Sequence, residues 1–437
     1  MKLITALNYP QVHFGAFSID QALSEGKSGR MLHAGQYSYA VAGKNGVVLA
    51  RDPIGCNKLF FGFGERHDLV VANRIVRAWE LGVPLKNIYS CPPGHVLNID
   101  KGRIRDLGGI DVASVKEGEK FDLAAFQERV GTKLRRAFKS ISKSYQRHVF
   151  VVCLSGGLDS TIIAWYAARY LPNAVAVSFT YLDERDLKRF GAGETVVTLA
   201  SASADCLNAA RVAESLGMPL LPIAKPPHAI ADVISTAVAL GQDWRDFNVH
   251  CATVNVFLAE GIRALFPGEK IMVLTGDLMN ELVCDYEEET VGSQVYYRIP
   301  DIPPDRLRRY FVRGLDVGDR EIGVFNGFGI VVCQPFAAVA EDFMRVPAKI
   351  LERADAKRFL NGGLLPADIL DRVTLTKRRA QVGGEDMGTL GIFHRMNVGD
   401  KKLKEIWMAQ FPGESMESHD KLIEFGRYRS PRYAATE

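Results

Sequence analysis

The 437-residue chain is short of several things at once, and each shortage removes a class of function. No window holds the roughly 18 uninterrupted apolar residues of a membrane span, so no membrane partner is expected. Charge of one sign is missing as well. The 54 Lys and Arg stand against 51 Asp and Glu, a net charge of +3, and the basic residues are dispersed, which argues against nucleic acid as the main partner. Paired cysteines are absent. Cys56, Cys91, Cys153, Cys206, Cys251, Cys284 and Cys333 are scattered with no CxxC, giving neither a zinc site nor a disulfide framework, and most read as small buried hydrophobes. The start, MKLITALNYPQVHFGAF, has no long apolar region followed by a small-residue cleavage site and reads as mature cytoplasmic protein. No internal repeat or low-complexity segment is visible.

What is present divides near residue 115. The chain is too long for one ordinary core, which implies two domains, read as 1–115 and 116–437. The first carries short alternating or apolar runs broken by turn residues, as in YSYAVAG, Lys44-Asn45-Gly46 and VVLA. An Asn-Gly between strand-like runs signals a hairpin, so this domain is expected to be mainly β. After a polar linker, DVASVKEGEK, the period turns helical: Phe121, Phe126, Val130, Leu134, Phe138 and Ile141 put an apolar stripe on one helix. Strand-like runs then alternate with helical ones (HVFVVCLS, AVAVSFT, KIMVLTGD). The fold class is therefore α/β, a doubly wound parallel sheet preceded by a smaller, mainly β domain.

The stretch VVCLSGGLDSTIIAWYAARY, residues 151–170, concentrates the chemistry. A buried strand breaks into Ser155-Gly156-Gly157-Leu158-Asp159-Ser160 and resumes as a helix. Adjacent glycines let the backbone turn tightly and bring its N–H groups to an anion, and the helix N-terminus adds a favourable field. The serine hydroxyls can donate to phosphate oxygens. Asp159 would repel a polyphosphate unless a divalent cation lay between, which points to Mg2+. The bland alternative is a glycine turn with capping Asp and Ser.

This hexapeptide resembles the pyrophosphate-binding loop of the ATP pyrophosphatases, and the wider chain resembles the asparagine synthetase family. The loop lacks the Gly-Lys-Ser/Thr ending of a Walker loop, so the resemblance implies cleavage between the α and β phosphates of ATP. Ser178-Phe179-Thr180 ends the next strand, where that family receives adenine and ribose. SADCLNAARVAESLGMP resembles the family's acidic segment before a helix, with Ser203 and Asp205 in matching places. MVLTGDLMNELVCDY resembles its Ser-Gly-Glu-Gly-x-Asp-Glu-Leu run, Thr275-Gly276-Asp277 taking the first part and Asn280-Glu281-Leu282 the second. GIVVCQPF and LPADILDR follow its C-terminal order.

In the first domain, VVLARDPIGCNKLFFG and CPPGHVLNI resemble the second half of a class II glutaminase domain. That glutaminase uses an N-terminal cysteine, and this chain begins Met1-Lys2, so a degenerate domain is expected, with Arg51 and Asp52 as retained scaffold. A family member without its ammonia source needs another amine, as in the β-lactam and carbapenam synthetases, which close a ring with an amine in the same molecule. The departures at Asp277, Asn280, Val331 and Cys333 imply a rebuilt substrate pocket, and the β-lactam branch's Tyr-Glu proton relay is not visible there.

The resemblance implies these roles. Ser155, Gly156, Gly157, Asp159 and Ser160 hold pyrophosphate, with Ser178, Phe179, Ser203 and Gly276 also on the nucleotide, and Asp159 and Glu281 on magnesium. Asp277, just past a strand end, is placed to accept the amine's proton or steer its ammonium form. Lys377, in TLTKRRAQVGG, is the cation expected to stabilise the charge on acyl-adenylate and leaving phosphate, with Arg378 the alternative created by an altered spacing. In DWRDFNVHCATVNVF, Asp246, Asn248 and His250 would share one face of an extended segment, or form a helix cap with a core histidine. Three functions stay open: an AMP-forming carboxylate–amine ligase closing a lactam, as in antibiotic biosynthesis; an amide synthetase using free ammonia or a separate amine; and a non-catalytic nucleotide-binding protein. The expected partner is a small amino-carboxylate substrate, and a homodimer stays open.

Overall fold

Alternation of buried side chains organises the first half of the chain. The computed structural model describes residues 2–15, 35–64, 67–91, 93–107, 121–244, 246–283, 289–291, 294–297, 318–353, 355–374 and 398–415; the linker at residues 111–120, and with it the boundary near residue 115, lies outside them. One four-stranded sheet runs in the spatial order Leu3–Ala6, Leu69–Ala72, Phe60–Phe63, Tyr89–Ser90, and a second runs Arg103–Asp106, Val96–Asp100, Gly46–Arg51, Ser38–Gly43. Val47, Leu49, Leu97 and Ile99 of the second sheet meet Phe61, Leu69 and Val71 of the first in a closed apolar cluster. The sheets therefore form a sandwich. The expected hairpin is the pairing of Ser38–Gly43 with Gly46–Arg51. Gly46 has φ +111°, and a Cβ there would strike the Ile99 carbonyl, so the neighbouring strand as well as the turn requires glycine.

Successive residues of a strand face opposite sides, and the first sheet uses both. Phe61, Leu69 and Val71 enter the sandwich, while Phe60, Val70 and Ala72 enter a second core shared with the rest of the chain. Polar groups bind the same seam. Gln242, at φ +52°, accepts from the Ile75 N–H at 2.8 Å and donates to Tyr9 Oη, the Asn73 carbonyl and Asp319 Oδ2 at 3.1 to 3.2 Å.

In the second half a five-stranded, all-parallel sheet runs in the order Leu220–Lys225, Val175–Tyr181, Val149–Cys153, Ile271–Leu274, Val331–Cys333. In chain order this is 3-2-1-4-5. The reversal falls between Val149–Cys153 and Ile271–Leu274, and a doubly wound sheet opens its ligand crevice at the carboxyl ends of the strands flanking such a reversal. The helix Leu123–Ser144 buries the expected stripe of Phe126, Val130, Leu134, Phe138 and Ile141, capped by Asp122, whose carboxylate accepts from the Ala125 N–H at 3.0 Å.

The Asp246, Asn248, His250 segment corrects the extended reading, because it opens the helix Asp246–Leu265. Buried Val249, Ala252, Val256 and Ala259 recur at intervals of three and four, which no extended segment can place on one side. Asn248 instead donates to Asp243, and His250 is buried in the helix. Among the described residues no helix is long and apolar enough to cross a membrane.

Candidate active site

The glycine loop follows the strand Val149–Cys153 and feeds the helix Leu158–Tyr170, beside the reversal in strand order. Gly156 stands at φ +76°, and a Cβ there would lie 2.5 Å from Asn208 Cβ and 2.6 Å from its carbonyl carbon. The loop is thus pressed against the helix Ala204–Leu216, which only glycine permits. Ser160, at the loop's end, is buried and ties the turn: its Oγ accepts from the Ser155 N–H at 3.2 Å, lies 3.1 Å from Ser155 Oγ and donates to the Gly157 carbonyl. Ser155 is exposed at the mouth. Gly157 is the helix N-cap, no side chain caps that turn among the described residues, and a Cβ at Gly157 would meet only Ser155 Oγ, at 3.5 Å. An open, uncapped helix start suits the oxygens of a phosphate.

The next strand carries Ser178 and Phe179, and Ser203 comes to its end. Ser203 caps the helix Ala204–Leu216, accepting from the Cys206 N–H at 3.2 Å, and is fastened to the strand by its own N–H on Thr180 Oγ1 at 2.8 Å and its Oγ on the Phe179 carbonyl at 3.3 Å. Phe179 stacks on Phe257 at 5.5 Å between centroids. The buried Ser178 hydroxyl turns to the Cys206 thiol, which burial pushes up to about 11. The Ser203 side chain fastens helix to strand, and Ser178 and Phe179 lie beside it on that strand.

Thr275-Gly276-Asp277 leaves the strand Ile271–Leu274 directly against the glycine loop. A Cβ on Gly276 would lie 2.8 Å from the Ser160 nitrogen and 2.9 Å from the Asp159 carbonyl carbon, so the two turns touch through backbone. Asp277 is thereby held next to the glycine loop. Its carboxylate is hydrogen-bonded to Glu321, whose carboxyl is fully buried; burial first, and then the adjoining Asp277 charge, push Glu321 well above the ordinary carboxylate range. Glu321 Oε2 also accepts from Thr275 Oγ1 at 2.9 Å and from Gln334 Nε2 at 2.7 Å. A buried carboxyl held toward its protonated form beside a second carboxyl is a common device where a proton must be moved. Glu281 faces Arg320 at 3.7 Å.

On the other side of Asp159, Lys357 Nζ lies 2.5 Å from Asp159 Oδ2 and 2.6 Å from Asn280 Oδ1. Among the described residues no group of three or more His, Cys, Asp or Glu could hold a metal by itself. Magnesium normally binds one or two carboxylates together with substrate phosphates, so a single loop carboxylate such as Asp159 fits the ion. Lys377 and Arg378 lie outside the described residues. The chain leading to them is placed: the Thr374 N–H donates to the Gly156 carbonyl at 3.1 Å, and Thr374 pairs with Gly157.

Sequence reasoning missed Glu321 and Lys357. Glu321 precedes the apolar helix Ile322–Gly327 and reads as an acidic helix start, and Lys357 reads as a solvated helix charge. Only tertiary structure brings them to Asp277 and Asp159. A cavity of about 130 Å³ adjoins Asp277 and Glu321, and its lining includes Glu281 and Arg320 together with Arg51, Ile54, Cys56 and Lys58 of the first half.

Residues 133–322 match the Asparagine synthase family. The glutamine-hydrolyzing asparagine synthetase 2 of Lotus japonicus is 31% identical over 134 residues, which are 30% of this chain and 21% of that protein. The chain thus spans about a fifth of the length of the curated relative it matches. Among solved structures, NMN synthetase from Francisella tularensis aligns at 15% identity over 72% of this chain and 96% of that one, with a TM-score of 0.31. The NH3-dependent NAD synthetase from Campylobacter jejuni aligns at 16% identity over 44% of this chain and 75% of that one, with a TM-score of 0.24.

Proposed function

We propose that the protein is an ATP-dependent, AMP-forming carbon–nitrogen ligase that activates a substrate carboxylate as its adenylate and joins it to an amine, in its most specific form an amine of the same molecule, closing a lactam. The observation that carries this reading is the contact of Gly276 with the Asp159–Ser160 turn, which sets the Asp277–Glu321 carboxyl pair against a loop built for phosphate. Phosphate binding and proton acceptance then occur at one place, as acyl activation followed by aminolysis requires.

A carboxylate oxygen attacks the α-phosphorus and pyrophosphate departs. Backbone N–H groups at Gly157 and the helix start, with the Ser155 hydroxyl, hold the departing oxygens. The amine then attacks the acyl carbon, AMP leaves, and the ammonium proton passes to Asp277, with Glu321 behind it to spread the charge. Asp159 and Glu281 would hold magnesium, which supplies charge neutralisation on the polyphosphate when bound. Lys357 neutralises Asp159, and Lys377, beyond Thr374, is the cation assigned to the leaving phosphate. In this reading the first half is a glutaminase-like domain. Arg51 serves there as scaffold: its donors go to the Gly55 and Asn57 carbonyls of its own turn and to Ser90 Oγ and the Cys91 carbonyl, tying that turn to the strand Tyr89–Ser90.

The test is pure protein with ATP, Mg2+ and a panel of amino-carboxylates, followed by pyrophosphate release and product mass. Product equal to substrate minus water supports ring closure. A product containing added ammonia or a second amine establishes the intermolecular synthetase instead, and no release with any substrate overturns the ligase reading.

A further inference from the structure

The Glu321 carboxyl is held by two neighbouring strand ends. Thr275, just past Ile271–Leu274, donates its hydroxyl to Glu321 Oε2 at 2.9 Å, and Gln334, just past Val331–Cys333, donates Nε2 to the same oxygen at 2.7 Å. The Thr275 N–H also donates to the Cys333 carbonyl at 3.1 Å, which keeps the two ends in register. Val331–Cys333 is the edge strand of its sheet, so the Gln334 N–H that follows has no further strand to meet. It donates to Gln36 Oε1 at 2.8 Å. Gln36 belongs to the first half, in the short strand Gly35–Gln36 that pairs with Val12–His13. A line of contacts therefore runs from Gln36 through Gln334 and Glu321 to Asp277.

Adhesion does not account for this line. Gln36 is 1% exposed and Gln334 6%, yet Gln36 Nε2 and Gln334 Oε1 are buried without a hydrogen-bond partner among the described residues. A buried, unpaired amide atom lowers stability, so a seam made only to adhere would carry apolar side chains here. The amide atoms that are used lie on the way to Glu321.

We propose that Gln36 and Gln334 are positioning residues of the reaction, through which the first half sets the orientation of the Glu321–Asp277 pair. The inference rests on the ligase reading. Pro335 has no N–H, so the Gln334 N–H is the last donor before the tight turn Pro335–Ala338, and Gln36 fixes where that turn begins. The Gln334 side chain then carries the placement to Glu321. A displacement of about 1 Å in a reacting group can lower a rate 100-fold, far more than it disturbs a fold.

The experiment is a double-mutant cycle. Gln36→Met and Gln334→Met should each lower kcat roughly ten-fold with KM within about two-fold of wild type. Repeated in a Glu321→Met background, which offers Gln334 no oxygen to hold, each change should alter kcat less than about two-fold. The same fractional loss in both backgrounds would make the amides an ordinary tie between the halves and overturn the proposal, as would an unchanged kcat in Gln36→Met. Melting curves test the line without turnover. The Gln334 donor favours the ionised Glu321, against burial and the Asp277 charge and alongside Arg320. Cys153 also lies within the field of Glu321, and the cavity wall adds Arg51, Lys58, Glu281 and Asp319; all are common to every variant. Each protein is compared with its own Glu321→Met double from pH 4 upward, and the pH at which its fall in stability levels off marks the folded Glu321. That pH should move upward in both glutamine variants. If no substrate releases pyrophosphate, the ligase reading fails while an upward shift still supports the line; an unchanged levelling pH in Gln36→Met overturns it.

Discussion

The Lys357 ammonium stands 2.5 Å from the Asp159 carboxylate, at the first turn of the helix that follows the glycine loop. This contact balances the one negative side chain in a loop otherwise suited to anions, and it reaches on to Asn280 at 2.6 Å, tying the two turns of the site together.

Asp159→Ala should leave the fold intact by circular dichroism and lower pyrophosphate release by roughly 100-fold or more, because the polyphosphate loses its metal bridge. Near-normal turnover would refute the loop assignment. Lys357→Ala should be milder, about ten-fold, the worth of one charge-assisted hydrogen bond.

The two loop glycines should separate. Gly156→Ala forces a Cβ into Asn208 at a left-handed φ of +76° and should cost about 2 kcal/mol or more, read as a fall in unfolding free energy in urea. Gly157→Ala meets only ordinary contact and should fold as wild type while binding ATP more weakly.

Glu321 gives a pH signature. Its folded value is raised, so above about pH 4.5, its ordinary value, the folded protein holds a proton that the unfolded chain has released. The stability from this group is complete below that pH and is lost as pH rises through the folded value. Glu321→Gln keeps a neutral donor to Asp277 and removes the dependence. Melting curves from pH 4 upward should show wild type falling relative to the variant; parallel curves would contradict a protonated Glu321.

Gln242→Ala should destabilise by about 2 to 3 kcal/mol, since the buried Ile75 N–H loses its acceptor. Calorimetry would read this as a lower midpoint in one transition. Lys377→Met should retain ATP binding while product formation falls roughly 100-fold, the usual worth of one preorganised charge.

The chain order of the elements explains what could be read in advance. The hairpin at Lys44-Asn45-Gly46 and the turn at Ser155–Ser160 are local, and local chemistry encodes them. Leu220–Lys225 is harder to read because Pro222 sits inside it; the proline is tolerated because the strand lies at the sheet's edge. Polar alternation at Asp246, Asn248 and His250 suggested an extended face, whereas buried Val249, Ala252 and Val256 settle a helix. Glu321 was illegible for a different reason. It reaches Asp277 because Val331–Cys333 lies beside Ile271–Leu274, and no periodicity reveals which strands will be neighbours.

The sheet of Leu3–Ala6, Leu69–Ala72, Phe60–Phe63 and Tyr89–Ser90 has no dry face and wet face; both are apolar, one turned to its own sandwich and one to the second half of the chain. The first half could not be removed from the second without cost, because deletion would strip Phe60, Val70 and Ala72 from the core they share with Phe138 and Phe150. It is ballast that keeps a hull upright, and a substitution at the seam is felt in both halves.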